Sequence, residues 1–423
     1  MGLSDRFTYS AFGQPASQRF FLLSFAAFYL LNCFTPLRLE YDSVHYFSLK
    51  ECLENACPPG FQAAKDPHPL GYPVLLWVLS RLGLLHSFTI AGINALFLTG
   101  SLFFVRKSFP PSLQSFLFLP LVCLQWTFIK FFAYPLSEMQ YLFFSTGCLY
   151  CFLCYTREKR LPWLIAAFVG AGLAFFTRSA GFVLAPALLA GLMGQHKPVF
   201  KVKIVSKTLL AVAVVLCLAG LFLFSKFSGL DIYLKSIRDR GSEILLLREH
   251  IKEWGQLLLN LPGNKVTTML PGWGNLLLII SGLALAALFI HAFFIRRKEI
   301  PLAISVYLTA YCLLIFNWPF FDARFWIPVL PYMVVLVISL KDAPGMSRLK
   351  GLFPLLLAIY LVMGLGAAGY SIYTAFHKAA LAKTQAGGIF RSEYETYFFG
   401  RPMNDTATHP INQEVLSILK RYN

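Results

Sequence analysis

Apolar runs long enough to cross a bilayer recur along this chain from end to end, and no other feature constrains its fold as tightly. A run of about 17–25 apolar residues spans the hydrocarbon layer as a helix. In lipid every backbone polar group needs an internal partner, so only helices and closed barrels can span. The runs are too long and continuous for the alternating strands of a barrel. Charged residues make up 13% of the 423 residues and hydrophobic ones 57%, with a mean hydropathy of +0.62. A soluble domain carries about a quarter charged residues. The expected fold class is therefore an all-α polytopic membrane protein.

The formal charge of +17 would suit nucleic acid if it were spread over one face. Instead Lys and Arg cluster at the ends of apolar runs, as the positive-inside rule requires, so nucleic acid is excluded as a partner. The 42 Phe and 19 Tyr suit lipid-facing surface and interfacial belts. The first apolar run has no small-residue cleavage site after it and reads as a retained helix.

One choice decides the topology. Val74–Leu85 is apolar but only about a dozen residues long, which fits an interfacial helix better than a span. All basic clusters then share one side: Arg106-Lys107, Arg157 to Arg160, Lys197 to Lys207, Arg296 to Lys298 and Lys341 to Lys350. Eleven spans follow, near 20–36, 86–105, 113–130, 139–156, 161–177, 179–194, 207–225, 275–295, 301–318, 325–340 and 352–370. Outside lie a first loop at 37–85, a long loop at 226–274 and a tail at 371–423, with 1–370 forming the membrane domain. Within the long loop Ile244, Leu247, Ile251, Trp254 and Leu258 recur at helical steps, with Glu243, Arg248, Glu249, Lys252 and Glu253 on other faces. That pattern predicts an amphipathic helix on the bilayer or on the bundle.

Cys148, Cys151 and Cys154 have metal-like spacing, but no second ligand pair accompanies them and they read as small apolar residues of a buried helix. Cys52 and Cys57 share the outer loop, where a short disulfide and two free thiols are equally open.

The first loop, YDSVHYFSLKECLENACPPGFQAAKDPHPLGYP over 41–73, gathers Asp42, His45, Tyr46, Asp66, His68 and Tyr72. On the same expected face, Glu138 opens the fourth span, Arg178 lies between the fifth and sixth, and Arg324 precedes the tenth. Ionisable residues at span edges are expensive and point to function. The bland alternative for each is an interfacial anchor or an interhelical salt bridge.

Asp42-Ser-Val-His-Tyr46, His68-Pro-Leu-Gly-Tyr-Pro73, Ser137-Glu138, Thr177-Arg178-Ser-Ala-Gly181 and Arg324-Phe-Trp-Ile-Pro-Val-Leu-Pro331 together resemble the GT-C polytopic glycosyltransferases. That group includes protein O-mannosyltransferases, the aminoarabinose transferase of lipid A and the GPI mannosyltransferases. The motifs are short, spread over about 300 residues, and agree in order and sidedness. The chain departs from the commonest pattern in having Ser43 where many members carry a second acidic residue, which leaves Glu138 as the candidate second carboxylate.

The resemblance implies a GT-C-like bundle with an interfacial helix in the first loop. It implies a polyprenyl-phosphate sugar donor and an acceptor hydroxyl on a glycan, lipid or protein. Transfer would invert the anomeric centre at the periplasmic or lumenal face. A hydroxyl needs a base to take its proton, a role that falls to Asp42. Arg178 and Arg324 suit the phosphate leaving group. Tyr46 joins them as a substrate-binding candidate. His68 and Tyr72 either orient sugar and acceptor hydroxyls or pack at the interface.

Catalysis without a bound metal or other cofactor is expected, since one phosphate does not demand a cation, although two carboxylates leave room for one. Short loops and the lack of an appended soluble domain favour a bacterial inner membrane over the endoplasmic reticulum. The competing reading is a lipid or small-solute transporter, which would show repeats and mid-membrane breaks. A transpeptidase of the exosortase kind would need an outward Cys at a span end, which Cys52 and Cys57 do not supply.

Overall fold

The computed structural model describes residues 16–194, 235, 238, 243–342, 352–403 and 411–423. The expected span at 207–225 and the basic cluster at 197–207 lie outside the described residues. Among the described residues every regular element is a helix. Three are long and apolar enough to cross a membrane: Ser87–Ser108, Gly274–Arg296 and Phe353–Phe376. Shorter apolar helices cover Leu23–Cys33, Leu161–Thr177, Ser179–Met193, Leu302–Phe316 and Leu330–Ser339.

In chain order the helices are α1 (Ala16–Cys33), α2 (Tyr41–Leu53), α3 (Gly71–Arg81), α4 (Ser87–Ser108), α5 (Phe118–Cys123), α6 (Trp126–Phe131), α7 (Glu138–Glu158), α8 (Leu161–Thr177) and α9 (Leu184–Met193). There follow α10 (Glu243–Leu259), α11 (Gly263–Met269), α12 (Gly274–Arg296), α13 (Leu302–Phe316), α14 (Leu330–Ser339), α15 (Leu352–Phe376), α16 (Lys378–Thr384), α17 (Arg391–Phe399) and α18 (Gln413–Tyr422). Helix α7 is the centre of one half, packed between α4 and α8. Its inward positions mix apolar and small polar residues, among them Gln140, Tyr141, Ser145, Thr146 and Cys148. The Cys148–Cys154 run lies on this helix as free thiols and, among the described residues, joins no metal-like group.

The run at 113–130 is not one helix. It divides into a short 3₁₀ turn, α5 and α6, with a break at Leu124–Gln125. Buried Asn260 supplies the bonds the break removes. Its Oδ1 accepts from the Trp126 N–H at 2.7 Å, and its Nδ2 donates to the carbonyls of Leu124 and Tyr360 at 2.9 and 3.0 Å. Irregular backbone is tolerated inside an apolar bundle when protein groups satisfy it in this way. The expected helix at 325–340 is likewise interrupted, with a 3₁₀ turn at Ala323–Trp326 followed by α14.

The helix expected in the long loop is α10, but it does not show the expected stripe. Leu246, His250, Ile251, Glu253, Trp254 and Leu257 are buried, while Leu247 is exposed. The helix lies inside the bundle against α12, where the backbones nearly touch. A Cβ added at Gly255 would meet Leu278 O at 2.0 Å, and one at Gly282 would meet Ile251 O at 1.8 Å. Small residues at such a crossing let helices approach through their main chains. This approach buries the polar flank: Glu253 accepts from Trp326 Nε1 at 2.8 Å and pairs with His250 Nδ1 at 2.8 Å. Burial therefore raises the Glu253 carboxyl above its ordinary pKa.

The first loop is also more ordered than expected. Besides α3, which begins at Gly71 instead of Val74, it contains α2. A reciprocal cap starts α2: Glu40 accepts from the Ser43 N–H, and the Glu40 N–H donates to Ser43 Oγ at 3.1 Å. A disulfide ties Cys52, in the last turn of α2, to Cys57 just past its end. The segment at 371–423 carries the end of α15 and then α16, α17 and α18. Helix α18 lies against α2, with Tyr422 stacked on Phe47 and bonded to Lys50 Nζ at 2.6 Å. Arg421 pairs with Glu51 at 2.9 Å, and Ser48 donates to Glu414. Tyr394 of α17 brackets the approach to α2, donating to Leu37 O at 2.7 Å and accepting from Leu39 N–H at 2.9 Å.

Replacing Asn260 by Leu keeps its approximate volume but strands the Leu124 and Tyr360 carbonyls. The expected cost is about 1–3 kcal/mol for buried groups left without partners. Thermal unfolding in detergent should show a lowered midpoint for Asn260→Leu; an unchanged midpoint would mean that Asn260 does not hold the break.

Candidate functional site

Four charged side chains far apart in sequence converge where α2, α7, the end of α8 and the turn before α14 meet. Asp42 lies in the first turn of α2, where a negative charge suits the helix dipole. Arg324 lies on the 3₁₀ turn at Ala323–Trp326, whose start is capped by Asp322 accepting the Arg324 N–H at 2.9 Å. Arg324 Nη2 donates to Asp42 Oδ2 at 2.7 Å. Its Nε faces Asp322 Oδ2 at 3.2 Å and Glu138 Oε1 at 3.7 Å. Arg178, on the extended residue after α8, donates to Glu138 Oε1 at 2.5 Å. Both guanidinium groups lie over the Phe325 ring.

The placement of Arg178 depends on a close approach between α3 and α8. A Cβ at Gly71 would meet Phe176 O at 2.6 Å and Thr177 Cα at 2.7 Å. Only glycine lets the start of α3 sit this near the backbone that delivers Arg178.

On the other side of Asp42 is His68, with Nε2 at 3.6 Å from Asp42 Oδ1. Its Nδ1 pairs with Asp66 Oδ1 at 2.7 Å, and the same oxygen accepts the His68 backbone N–H at 2.8 Å. Burial disfavours the His68 cation, but hydrogen bonds to Asp42 and Asp66 and the charges of both outweigh it, raising its pKa to about 9. Burial likewise works against the Asp42 carboxylate, and the Arg324 charge, the His68 bond and charge, and Arg178 more than offset it. Its pKa is held well below the usual carboxylate range.

These groups form one wall of a cavity of about 400 Å³. Its lining mixes the polar groups of Asp42, Tyr46, His68, Arg178, Asp322 and Arg324 with the apolar side chains of Leu314, Ile315, Trp318, Phe320, Phe321 and Phe325. Five of the seven sequence candidates thus reach the cavity: Asp42, Tyr46, His68, Arg178 and Arg324. Two do not. Glu138 is 2% exposed and lies behind the two arginines, with Oε2 unpartnered. Tyr72 is buried and packs on the Tyr46 ring at 5.2 Å. Tyr46 in turn shares a 2.8 Å hydrogen bond with Ser137.

Asp322 and the aromatic wall were not singled out in the sequence. Asp322 two residues before Arg324 was a readable turn-capping signal, whereas nothing local distinguishes Trp318, Phe320 and Phe321 from the other aromatics. No family model, curated protein or solved structure matches the chain.

The imidazolium makes the site sensitive to alkali. A raised folded-state pKa means that its stabilising contribution is complete below the ordinary His value of about 6.5 and is lost as pH rises through the folded value. In chelator-treated protein the unfolding midpoint should fall between pH 7 and about 9.5. His68→Gln should flatten that fall, and a wild-type midpoint constant over the interval would contradict the assignment.

Proposed function

We propose that the chain is a GT-C-type membrane glycosyltransferase that moves a sugar from a polyprenyl-phosphate donor to an acceptor hydroxyl, with inversion. The observation that carries the reading is a single cavity lined both by two guanidinium groups and by aromatic rings. A donor of this class is a phosphate with a sugar on one side and a polyprenyl chain on the other. Arg178 and Arg324 are suited to its phosphate, while Trp318, Phe320 and Phe321 are suited to its first isoprene units.

In this reading the acceptor oxygen attacks the anomeric carbon as the bond from that carbon to the phosphate oxygen breaks. The acceptor proton passes to Asp42, and polyprenyl phosphate leaves with the bonding pair. Guanidinium groups in a site of low dielectric stabilise the charge that grows on that leaving group.

Asp42 in its resting ion pair is a weak base, because Arg324 holds its charge. Two buried nitrogens of Arg324 make no hydrogen bond: Nε, which faces Asp322 and Glu138 as an ion pair, and Nη1. A donor phosphate would take Nη1 and compete for Nη2, returning basicity to Asp42 at the moment a hydroxyl arrives. Glu138 then acts as a positioning residue that fixes both arginines and stays out of proton transfer. His68 orients Asp42, and Tyr46 contacts the sugar or acceptor.

The reading includes a bundle of about eleven spans, with the site at the periplasmic or lumenal face of a membrane, a bacterial inner membrane by preference. Clustering of the ionisable groups at one end of the bundle favours surface chemistry over transport of a lipid or small solute.

The test uses the purified full chain in detergent with a panel of radiolabelled polyprenyl-phosphate sugars. Wild type should release or transfer sugar, and Asp42→Asn should retain donor binding but lose about 10²–10⁴-fold in rate. Arg324→Ala should weaken donor binding. Equal rates for wild type and Asp42→Asn would remove Asp42 from the mechanism. Donor binding with no turnover of any sugar in the panel would shift the reading to lipid transport.

A further inference from the structure

One cluster beside the site joins His68, which orients Asp42, to His45 and Asp66, which the transfer chemistry does not use. His45 belongs to α2, and Asp66 and His68 belong to the loop before α3. A ring nitrogen of His45, the Asp66 carboxylate and a ring nitrogen of His68 all lie within 4.8 Å of one another. The Asp66 side chain is 2% exposed and turns one oxygen to each ring, with Oδ2 at 2.5 Å from His45 Nδ1 and Oδ1 at 2.7 Å from His68 Nδ1. Two imidazole nitrogens thus converge on a single buried carboxylate.

A second observation comes from the far side of His68. Its Nε2 faces the Asp42 carboxylate at 3.6 Å. A histidine that ligates a metal through one nitrogen typically directs the other at a carboxylate, which fixes its tautomer and orientation. His68 is thus set between an inner group of ligand atoms and an outer carboxylate.

We propose that His45, Asp66 and His68 bind one divalent transition-metal ion of the zinc class, which cross-links α2 to the loop before α3. Two imidazoles and one carboxylate form a nitrogen-rich set that suits zinc, whereas calcium and magnesium take oxygen ligands. Ligand bonds of about 2.0–2.2 Å in a tetrahedral site place ligand atoms about 3.3–3.6 Å apart, so each imidazole must draw back from the Asp66 carboxylate by about 1 Å. His45, with its side chain 44% exposed, has room to do so.

The ion braces the loop and orients His68 toward Asp42. It takes no part in sugar transfer, and the inference does not rest on the glycosyltransferase reading.

The test measures metal content in the full chain, purified in detergent and equilibrated with buffered zinc. Wild type should hold about one zinc per chain and, loaded with cobalt, show the intense visible bands of a tetrahedral site. His45→Gln and Asp66→Asn should each weaken zinc binding by more than the roughly 10–100-fold that an outer-shell change costs. If Asp66→Asn fails to fold, His45→Gln at its half-exposed position carries the test, with its unfolding profile as the control. Zinc at background in wild type, or zinc retained in full by a folded His45→Gln, overturns the proposal. Because loading is read without any sugar donor, its outcome is separable from that of the transfer assay.

Discussion

The Arg324–Asp42 ion pair is the contact on which the rest of this structure depends. Charges taken out of water are tolerated only when paired and hydrogen-bonded, and removing one partner leaves the other exposed to the full desolvation cost. Arg324 is held at once by Asp42, Asp322 and Glu138, and Glu138 also holds Arg178. The pair therefore fixes the relative positions of α2, α7, the end of α8 and the turn before α14. Several local departures from regular helix serve this convergence. The cap at Glu40 begins α2 where Asp42 must point inward, Gly71 admits α3 against the backbone next to Arg178, and the 3₁₀ turn presents Arg324.

The same arrangement separates two layers of charge. Asp42, His68, Arg178 and Arg324 face the cavity, whereas Glu138 and Tyr72 stand behind. The back layer sets the geometry of the front one. Sharing Glu138 between two arginines keeps their guanidinium groups together despite like charge, and Phe325 offers both a ring face. An anion entering the cavity meets two cations already gathered and has to compete with Asp42 for one of them.

Much of this was legible in the sequence where the signal was local. Long uninterrupted apolar runs mark α4 and α12, and Asp42, Arg178 and Arg324 could be grouped because each sits at the end of such a run. What the sequence did not disclose depends on partners distant in the chain. The break at Leu124–Gln125 is held by Asn260, 136 residues from the carbonyl it bonds. Helix α2 lacks an apolar stripe because α18 and the bundle cover it from different sides, leaving Ser43, Ser48 and Lys50 buried beside Val44 and Phe47. The buried face of α10 includes His250 and Glu253, which a hydrophobic period cannot assign inward. Glu138 was correctly drawn to the cluster, but only coordinates separate a side chain that lines a cavity from one behind it.

The contact between α18 and α2 joins residues some 370 positions apart. It gives the protein an order of assembly. A ribosome completes Asp42 and its loop early, yet the surface that clamps them, from Tyr394 to Tyr422, emerges only after the bundle helices. Until that segment reaches the same side of the membrane, Leu37 and Leu39 lack the Tyr394 hydroxyl and Lys50 lacks the Tyr422 hydroxyl. A nascent chain could thus carry the site's charges without their final geometry, and maturation of the first loop would wait on delivery of the last helices.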